Sequence, residues 1–262
     1  MGSYLIRLYE KMALDRPYLT LSILALILVI VGSFAHNFKL DASGDSLVLE
    51  NDDDLRYFRK INKIYSSKDF VIITYTPAGD ILGKKSLAGI KALKEDLVKL
   101  DHVDSVLTIL DVPLLNSPLV KISELKKGIR TLETPGLDIE LARKEFHESP
   151  IYRKLLMSLD GKTTVILVNY KRDEKYFNLL ERRNDLRGKR LASGLTAEER
   201  KELVTVSHDY KQYLAVYVEN QGKGIQDVRD IMDKHRDKAK MFLGGVPMIT
   251  SDMIAFIRSD IS

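Results

Sequence analysis

An uncharged run of 22 residues near the N-terminus, Pro17 to Phe38, constrains this chain more than any other feature. As a helix rising 1.5 Å per residue, such a run covers the roughly 30 Å hydrocarbon core of a bilayer. Eleven Leu, Ile, Val or Phe side chains lie between Leu19 and Phe34, and together they favour insertion by roughly 3–7 kcal/mol. The run therefore predicts a transmembrane helix at residues 17–38.

Two other interpretations of this run are a buried helix in a soluble core and a cleavable signal peptide. Buried helices rarely run this long without a charge. Ser33-Phe34-Ala35 resembles a signal-peptidase site, but the preceding leader is 16 residues long and has its own helical pattern, at Tyr4, Leu5, Leu8 and Met12. We therefore expect an uncleaved anchor, preceded by an amphipathic segment at residues 1–16.

Charges beside the run predict its orientation. Arg7, Lys11 and Arg16 precede it, whereas Lys39 stands alone after it among acidic residues. Lysine and arginine favour the cytoplasmic side of a membrane. Residues 1–16 are therefore expected in the cytoplasm and everything after residue 38 outside it.

Composition excludes several classes of function. The charged residues make up 30% of the 262-residue chain and balance to a formal charge of +4, so nothing indicates a nucleic-acid surface. Cysteine is absent, which rules out disulfides, thiol catalysis and thiolate metal sites in this chain. The exported part must be held by packing alone.

Residues 39–51 are predicted to be a linker, and the periodicity after them predicts a helix–strand–helix–strand order. The helix at 52–66 carries Leu55, Phe58, Ile61 and Tyr65 on one face. The apolar run FVIITYT at 70–76 is typical of a central strand and is followed by a turn at 77–80. An amphipathic helix at 86–100 and a strand at 103–110 complete a βαβ unit with parallel strands.

The same order recurs in the second half. A Pro-rich connection leads to a helix from Ile139, and Ser149-Pro150 is predicted to start a further helical turn. Strands are predicted at 163–170 and 241–243. Two βαβ halves predict an α+β fold, a ferredoxin-like split βαβ sandwich over residues 52–247. Strand order cannot be read from this pattern.

Residues 173–240 are predicted to form a long helical insertion in this domain. Thr196 and Glu199 fit a capping box, which starts one helix, and an Arg- and Lys-rich helical pattern at 176–191 precedes it. A helical hairpin follows from these two signals. It is interpreted either as an arm that contacts a partner or as a solvated pair of helices with mixed charges.

The C-terminal residues 248–262 are predicted to form an amphipathic helix after Gly244-Gly245-Val246-Pro247. The sequence MITSDMIAFIRSDI places Met253, Ile254 and Ile257 on an apolar face without any helix-ending signal. We expect this helix to lead toward a second membrane span.

Three segments together resemble the resistance–nodulation–division superfamily, in the branch of exporters related to the mycobacterial large membrane proteins and the hopanoid transporters. The first is the apolar run followed by FKLDASGDSLVLENDDDLRYFRKINKIYSSKDFVIITYTP, the second is KEDLVKLDHVDSVLTILDVPLL, and the third is GGVPMITSDMIAFIRSDIS. None is a catalytic motif, and their order along the chain carries the resemblance, which covers essentially all 262 residues.

The resemblance implies the N-terminal part of a permease driven by proton motive force, with the first membrane helix and the first porter domain. It implies a bacterial or archaeal cytoplasmic membrane, a lipid or other hydrophobic substrate, further membrane helices as partners and a possible homo-oligomer. The proton-relay residues of the family lie in later helices, and no residue here matches them. His36, at the outer edge of the run, is interpreted as an interfacial histidine rather than a proton carrier.

No catalytic, cofactor or metal site is predicted. His36, His102, His147, His208 and His235 are scattered without metal-ligand spacing. Asp52-Asp53-Asp54 is interpreted as an acidic first helical turn rather than a cation site. Gly222-x-Gly224 lacks the flanking residues of a phosphate-binding loop. Gly44-Asp45-Ser46 lacks the sequence context of a catalytic nucleophile and is interpreted as a turn.

Two functions remain open at this point. The chain is either a segment of a lipid exporter or a single-pass anchored module whose helical hairpin docks a partner, and a soluble enzyme is a distant third. Substrate pockets in such domains are apolar clefts between subdomains. The sequence assigns no residue to substrate binding.

Overall fold

The computed structural model describes residues 17–33, 54, 57, 61, 68–117 and 130–261. The chain divides into two compact units, Met1–Asp41 and Ala42–Ser262. The predicted segments at residues 1–16, 34–38 and 39–51 lie outside the described residues.

The first unit contains helix α1, Pro17–Ser33, which has 17 residues. Its leucine, isoleucine and valine side chains are 41–68% exposed. The Ser33 hydroxyl donates to the Ile30 carbonyl at 2.7 Å, so this polar side chain is satisfied inside the helix. At 1.5 Å per residue α1 is about 26 Å long.

No helix within the described part of the chain combines the length and the apolar character needed to cross a membrane.

The second unit is α+β, as the sequence predicts. Its described elements are, in chain order, β1 Phe70–Pro77, α2 Lys84–Val98, β2 Val103–Leu107, α3 Ile139–Glu148, β3 Thr164–Tyr170, α4 Glu174–Ala192, α5 Ala197–Lys234, β4 Ala239–Gly244 and α6 Val246–Ile261. Of the helix predicted at 52–66, the structure describes Asp54, Tyr57 and Ile61, and all three are helical.

The four strands form one antiparallel sheet in the order β2-β3-β1-β4. Both β2 and β1 run antiparallel to β3, so they are parallel to each other with β3 between them. Likewise β3 and β4 flank β1 and both oppose its direction. Strand β3 therefore lies between β1 and β2 of the first βαβ unit, and β1 lies between β3 and β4 of the second. This interleaving is the split βαβ arrangement.

The main hydrophobic core lies between one face of the sheet and helices α2 and α5. Strand residues Val71 and Ile73 are 0% exposed and cluster with Ile90 of α2 and Ile225 of α5. Gly89 of α2 lies so close to the sheet that a Cβ there would overlap the Tyr75 hydroxyl. This close approach explains a glycine in the middle of a helix that would otherwise be weakened by it.

Helix α5 has two roles along its 38 residues. Its first half pairs with α4 as the predicted hairpin, whereas Ile225, Val228 and Met232 of its second half join the main core. The residues predicted as an insertion therefore include the crossover helix between β3 and β4. We call residues 174–218, the hairpin part, the helical arm.

The capping box predicted for the start of α5 is confirmed. The backbone N–H of Glu199 donates to the Thr196 hydroxyl at 3.2 Å, and the Thr196 N–H donates to the Glu199 carboxylate at 3.0 Å. Both donors would otherwise be unpaired at a helix N-terminus. This local signal fixes where the second helix of the arm begins.

Of two further local predictions, the end of β2 is wrong and the turn at Ser149-Pro150 is confirmed. Strand β2 ends at Leu107 rather than at residue 110, because the Asp111 carboxylate accepts from both the N–H and the hydroxyl of Thr108 at 2.8 Å and closes a turn. Ser149-Pro150 starts a single helical turn, as predicted, in which the Arg153 N–H donates to the Ser149 carbonyl at 2.9 Å. There the Ser149 hydroxyl accepts from the Ile151 N–H at 3.3 Å.

Candidate functional site

The central sheet has one face packed by helices and one face whose large side chains stay accessible. Side chains alternate between the two faces along each strand. In β1, Val71, Ile73 and Tyr75 are at most 1% exposed, whereas Phe70, on the opposite face, is 45% exposed. We call the accessible side the open face.

Cross-strand register brings the apolar residues of the open face together. Leu107 of β2 lies opposite Leu167 of β3, which lies opposite Ile72 of β1. In the adjacent row, Thr74 lies between Val165 and Phe242. Leu107 and Phe242, at the two ends of this area, are 49% and 59% exposed. We call the six residues the open-face patch: Ile72, Thr74, Leu107, Val165, Leu167 and Phe242.

Polar groups border the patch on both sides. On one side the Asn169 amide donates to the Ser105 hydroxyl at 3.0 Å. On the other, the hydroxyls of Thr76 and Thr163 are 2.8 Å apart, and the Lys240 ammonium lies 5.1 Å from the centre of the Phe242 ring. An apolar centre between polar borders suits a ligand that has an apolar chain and a polar end.

A groove beside the foot of the arm is charged but self-neutralised. Lys68 pairs with Asp104 at 2.7 Å, and Arg172 pairs with Glu181 at 2.7 Å. Lys171 and Glu174 also line it. Because its three cations are balanced by three carboxylates, the groove has little net attraction for an anion.

The candidate chemical residues do not assemble into a site. No group of three or more histidine and carboxylate side chains within the described ranges could hold a metal ion. Four of the five histidines are described, and each has a local setting. The buried His235 contacts Asp96 through Nε2 at 2.9 Å and Lys238 through Nδ1 at 3.1 Å. Hydrogen bonds from Lys99 and His235 lower the pKa of Asp96 to about 2.

Other motifs from the sequence have structural positions. Gly222 and Gly224 lie inside α5 and not in a loop, and a Cβ at position 224 would come within 3.0 Å of the His102 ring. Close packing against His102 therefore explains why position 224 is a glycine. Asp54 is helical. His36, Asp52, Asp53 and the segment Gly44-Asp45-Ser46 lie outside the described residues.

The buried carboxylate of Glu145 is not among the residues predicted from the sequence. Its side chain accepts from the N–H groups of Leu115 and Asn116 at 2.7 and 3.0 Å and from the Ser117 hydroxyl at 2.7 Å. Glu145 therefore anchors residues 115–117, which follow β2, to helix α3. Its position three residues after the buried Ala142 places it on the inward face of α3, and this spacing was the available signal.

A second carboxylate that was not predicted is Asp69, which lies directly before β1 and accepts a hydrogen bond from the Tyr217 hydroxyl. The two residues are 148 positions apart. The available signal was the spacing of Tyr210, Tyr213 and Tyr217 along one side of α5.

Comparisons with known proteins add no assignment. No family model matches the sequence, and no curated protein matches it either.

Proposed function

We propose that this chain is the N-terminal part of an exporter of the resistance–nodulation–division type, driven by proton motive force, that moves lipids or other hydrophobic molecules. In this proposal α1 belongs to the first membrane span, the ferredoxin-like second unit is an extracytoplasmic porter domain, and α6 leads toward a second span. The proton-relay residues belong to helices beyond this sequence.

Helix α1 supports the membrane part of the proposal. Its apolar side chains are exposed along its whole described length, and such a surface is costly in water. The uncharged sequence continues from Ser33 to Phe38. As a helix, residues 17–38 would be about 33 Å long, enough for a hydrocarbon core of roughly 30 Å.

The open-face patch is the observation that carries the transport part. Monomeric soluble domains rarely leave adjoining large apolar side chains accessible, and such patches mark binding surfaces. The patch has one apolar centre and polar borders. A surface of this kind can bind an amphipathic molecule and pass it on.

A single-pass anchored interaction module is the second candidate. Val204 and Leu191 of the arm are 71% and 49% exposed, which favours a partner on the arm. In contrast, Arg182 pairs with Glu202 and Lys189 with Glu199 between the two arm helices. Since these charges are satisfied within the arm, we rank this function second. A pull-down that is lost when the arm is deleted would support it.

Tryptophan quenching tests whether the patch contacts lipid chains. The chain has no tryptophan, so Leu107→Trp places a single reporter on the patch, and Val204→Trp places a matched one on the arm. The full chain in nanodiscs is titrated with dibromostearate, whose bromine atoms quench tryptophan on contact. We expect saturable quenching of the reporter at position 107 and weak, unsaturable quenching at position 204.

A second substitution makes this test specific. Adding Phe242→Asp to the Leu107→Trp chain removes apolar area worth about 1.5–3 kcal/mol, so the dibromostearate affinity should fall about tenfold or more. Equal quenching at positions 107 and 204, or an affinity unchanged by Phe242→Asp, would rule out the patch as a lipid-binding surface.

A further inference from the structure

The foot of the helical arm is tied to the sheet through one carboxylate. Asp69, directly before β1, accepts hydrogen bonds from the Tyr217 hydroxyl and, at 3.4 Å, from the Gln221 amide of α5. The Tyr217 ring stacks on Tyr176 of α4, with centroids 3.8 Å apart and planes 2° apart. Asp69 thus holds α5 directly and α4 only through the stacked Tyr176 ring.

The groups that contact this carboxylate are neutral. Tyr217 and Gln221 donate to it as a hydroxyl and an amide, and no ion pair between Asp69 and a cation occurs among the described residues. The nearby Arg172 pairs with Glu181 and Glu174 at 2.7 and 3.6 Å and lies 4.0 Å over the Phe177 ring. Ionised Asp69 therefore keeps a half-buried negative charge without a dedicated counter-ion, which is costly.

Other titratable and charged groups face the same region from each neighbouring element. They are Tyr170 of β3, Asp227 of α5, His102 before β2 and Asp173 at the start of α4. Within the described part of the chain, the buried Tyr170 hydroxyl and His102 Nε2 have no hydrogen-bond partner. Among the described residues, the charge that acts on Asp69 itself is that of Arg172, which favours the ionised form, so burial is what makes ionising Asp69 costly.

Titration directions agree with this geometry. Burial raises the pKa of Asp69 above its ordinary value, and the Tyr217 hydrogen bond and the Arg172 charge offset only part of that rise. Burial and then the negative charge of Asp69 raise the pKa of Tyr217. Tyr217 therefore keeps its proton, and Asp69 is the group that gains or loses one.

We propose that Asp69 is a proton-controlled joint, in which protonation of its carboxyl tightens the contact between the helical arm and the sheet and deprotonation loosens it. This inference goes beyond the proposed function and does not depend on it. The direction of this pH effect follows from linkage: Asp69 binds its proton more tightly when the arm is docked than when its carboxyl is exposed to solvent, so protonation favours docking. Docking is firmest below the ordinary aspartate pKa of about 3.9 and weakens as pH rises through the raised pKa of Asp69.

Distance measurements between spin labels test the joint in the full chain. Since the chain has no cysteine, Ala88→Cys on α2 and Val204→Cys on the arm provide two unique labelling sites, both exposed. Double electron–electron resonance between pH 4 and 8 should give a narrow distance distribution at acidic pH that broadens as pH rises. In the Asp69→Asn chain the distribution should stay narrow throughout.

A second variant and a control make the test selective. Tyr217→Phe removes a donor that stabilises ionised Asp69, so the midpoint of the broadening should move to higher pH. Asp104→Asn removes a neighbouring exposed carboxylate paired with Lys68, and its midpoint should match that of the parent chain.

Three results would overturn the joint: a parent chain whose distances do not respond to pH, a response that survives in Asp69→Asn, or a Tyr217→Phe midpoint that moves to lower pH. If Asp69→Asn does not fold, the direction of the Tyr217→Phe shift still decides the matter. None of these measurements involves lipid, so their failure is distinct from failure of the exporter proposal.

Discussion

Replacing Phe146 with alanine is expected to lower the free energy of unfolding by about 3–5 kcal/mol. Phe146 of α3 is 0% exposed and packs against the Tyr152 ring with centroids 5.7 Å apart. Removing its ring leaves a cavity in the main core, and the surrounding strands and helices can close it only in part. Urea unfolding of the full chain in detergent, followed by circular dichroism, measures the change.

The matched control is Phe242→Ala on the open face. Phe242 is 59% exposed, so the same chemical change should alter the free energy of unfolding by only about 0.5 kcal/mol. If the two variants lost similar stability, the open face would have to be packed rather than accessible. The comparison therefore also tests the two-sided description of the sheet.

Two arginines in α1 are expected to release the chain from membranes. Leu24→Arg and Leu28→Arg each add about 2.5–3.5 kcal/mol to the insertion free energy at a helix centre. Their sum of roughly 5–7 kcal/mol is about as large as the roughly 3–7 kcal/mol by which the apolar run favours insertion. The expressed chain should move from the carbonate-washed membrane pellet to the soluble or aggregated fraction.

A double alanine variant controls for loss of leucine packing. Leu24→Ala and Leu28→Ala remove two apolar side chains without adding charge, so most of the chain should remain in the pellet. A chain that pellets equally well with arginine or alanine at both positions would show that α1 does not hold it in the membrane.

The secondary structure could be predicted from the sequence wherever it depends on residues close together in the chain. The β-branched runs that became β1 and β3 lie at the centre of the sheet, where both neighbours satisfy their backbone groups. Thr196 and Glu199 fixed the start of α5 because a capping box acts within one turn. Periodicity likewise located α2, although the helix begins at Lys84, two residues before the predicted start.

Features that depend on distant contacts could not be predicted. The strand order follows from packing between halves of the chain, and periodicity contains no information about it. The end of β2 depended on the Asp111 side chain, which competes with the ladder for the Thr108 N–H. Asp69 and Tyr217 meet only after the sheet and arm have formed.

The open-face patch shows the same limit for function. Its residues come from all four strands, and the predicted elements alone do not say which of them adjoin. Alternation along β1 predicts that Ile72 and Thr74 share a face, but only the register adds Leu167 and Phe242 to them. A binding surface assembled across strands therefore needs the structure before it can be named.

The central proposal is that this chain is the first part of a multi-span exporter. Sequencing the DNA that follows the codon for Ser262 in the source genome tests it most directly. The proposal predicts an open reading frame that continues into several uncharged runs of about 20 residues, each long enough for a membrane helix. A natural stop codon directly after Ser262 would contradict it and would leave the anchored interaction module as the better account of the chain.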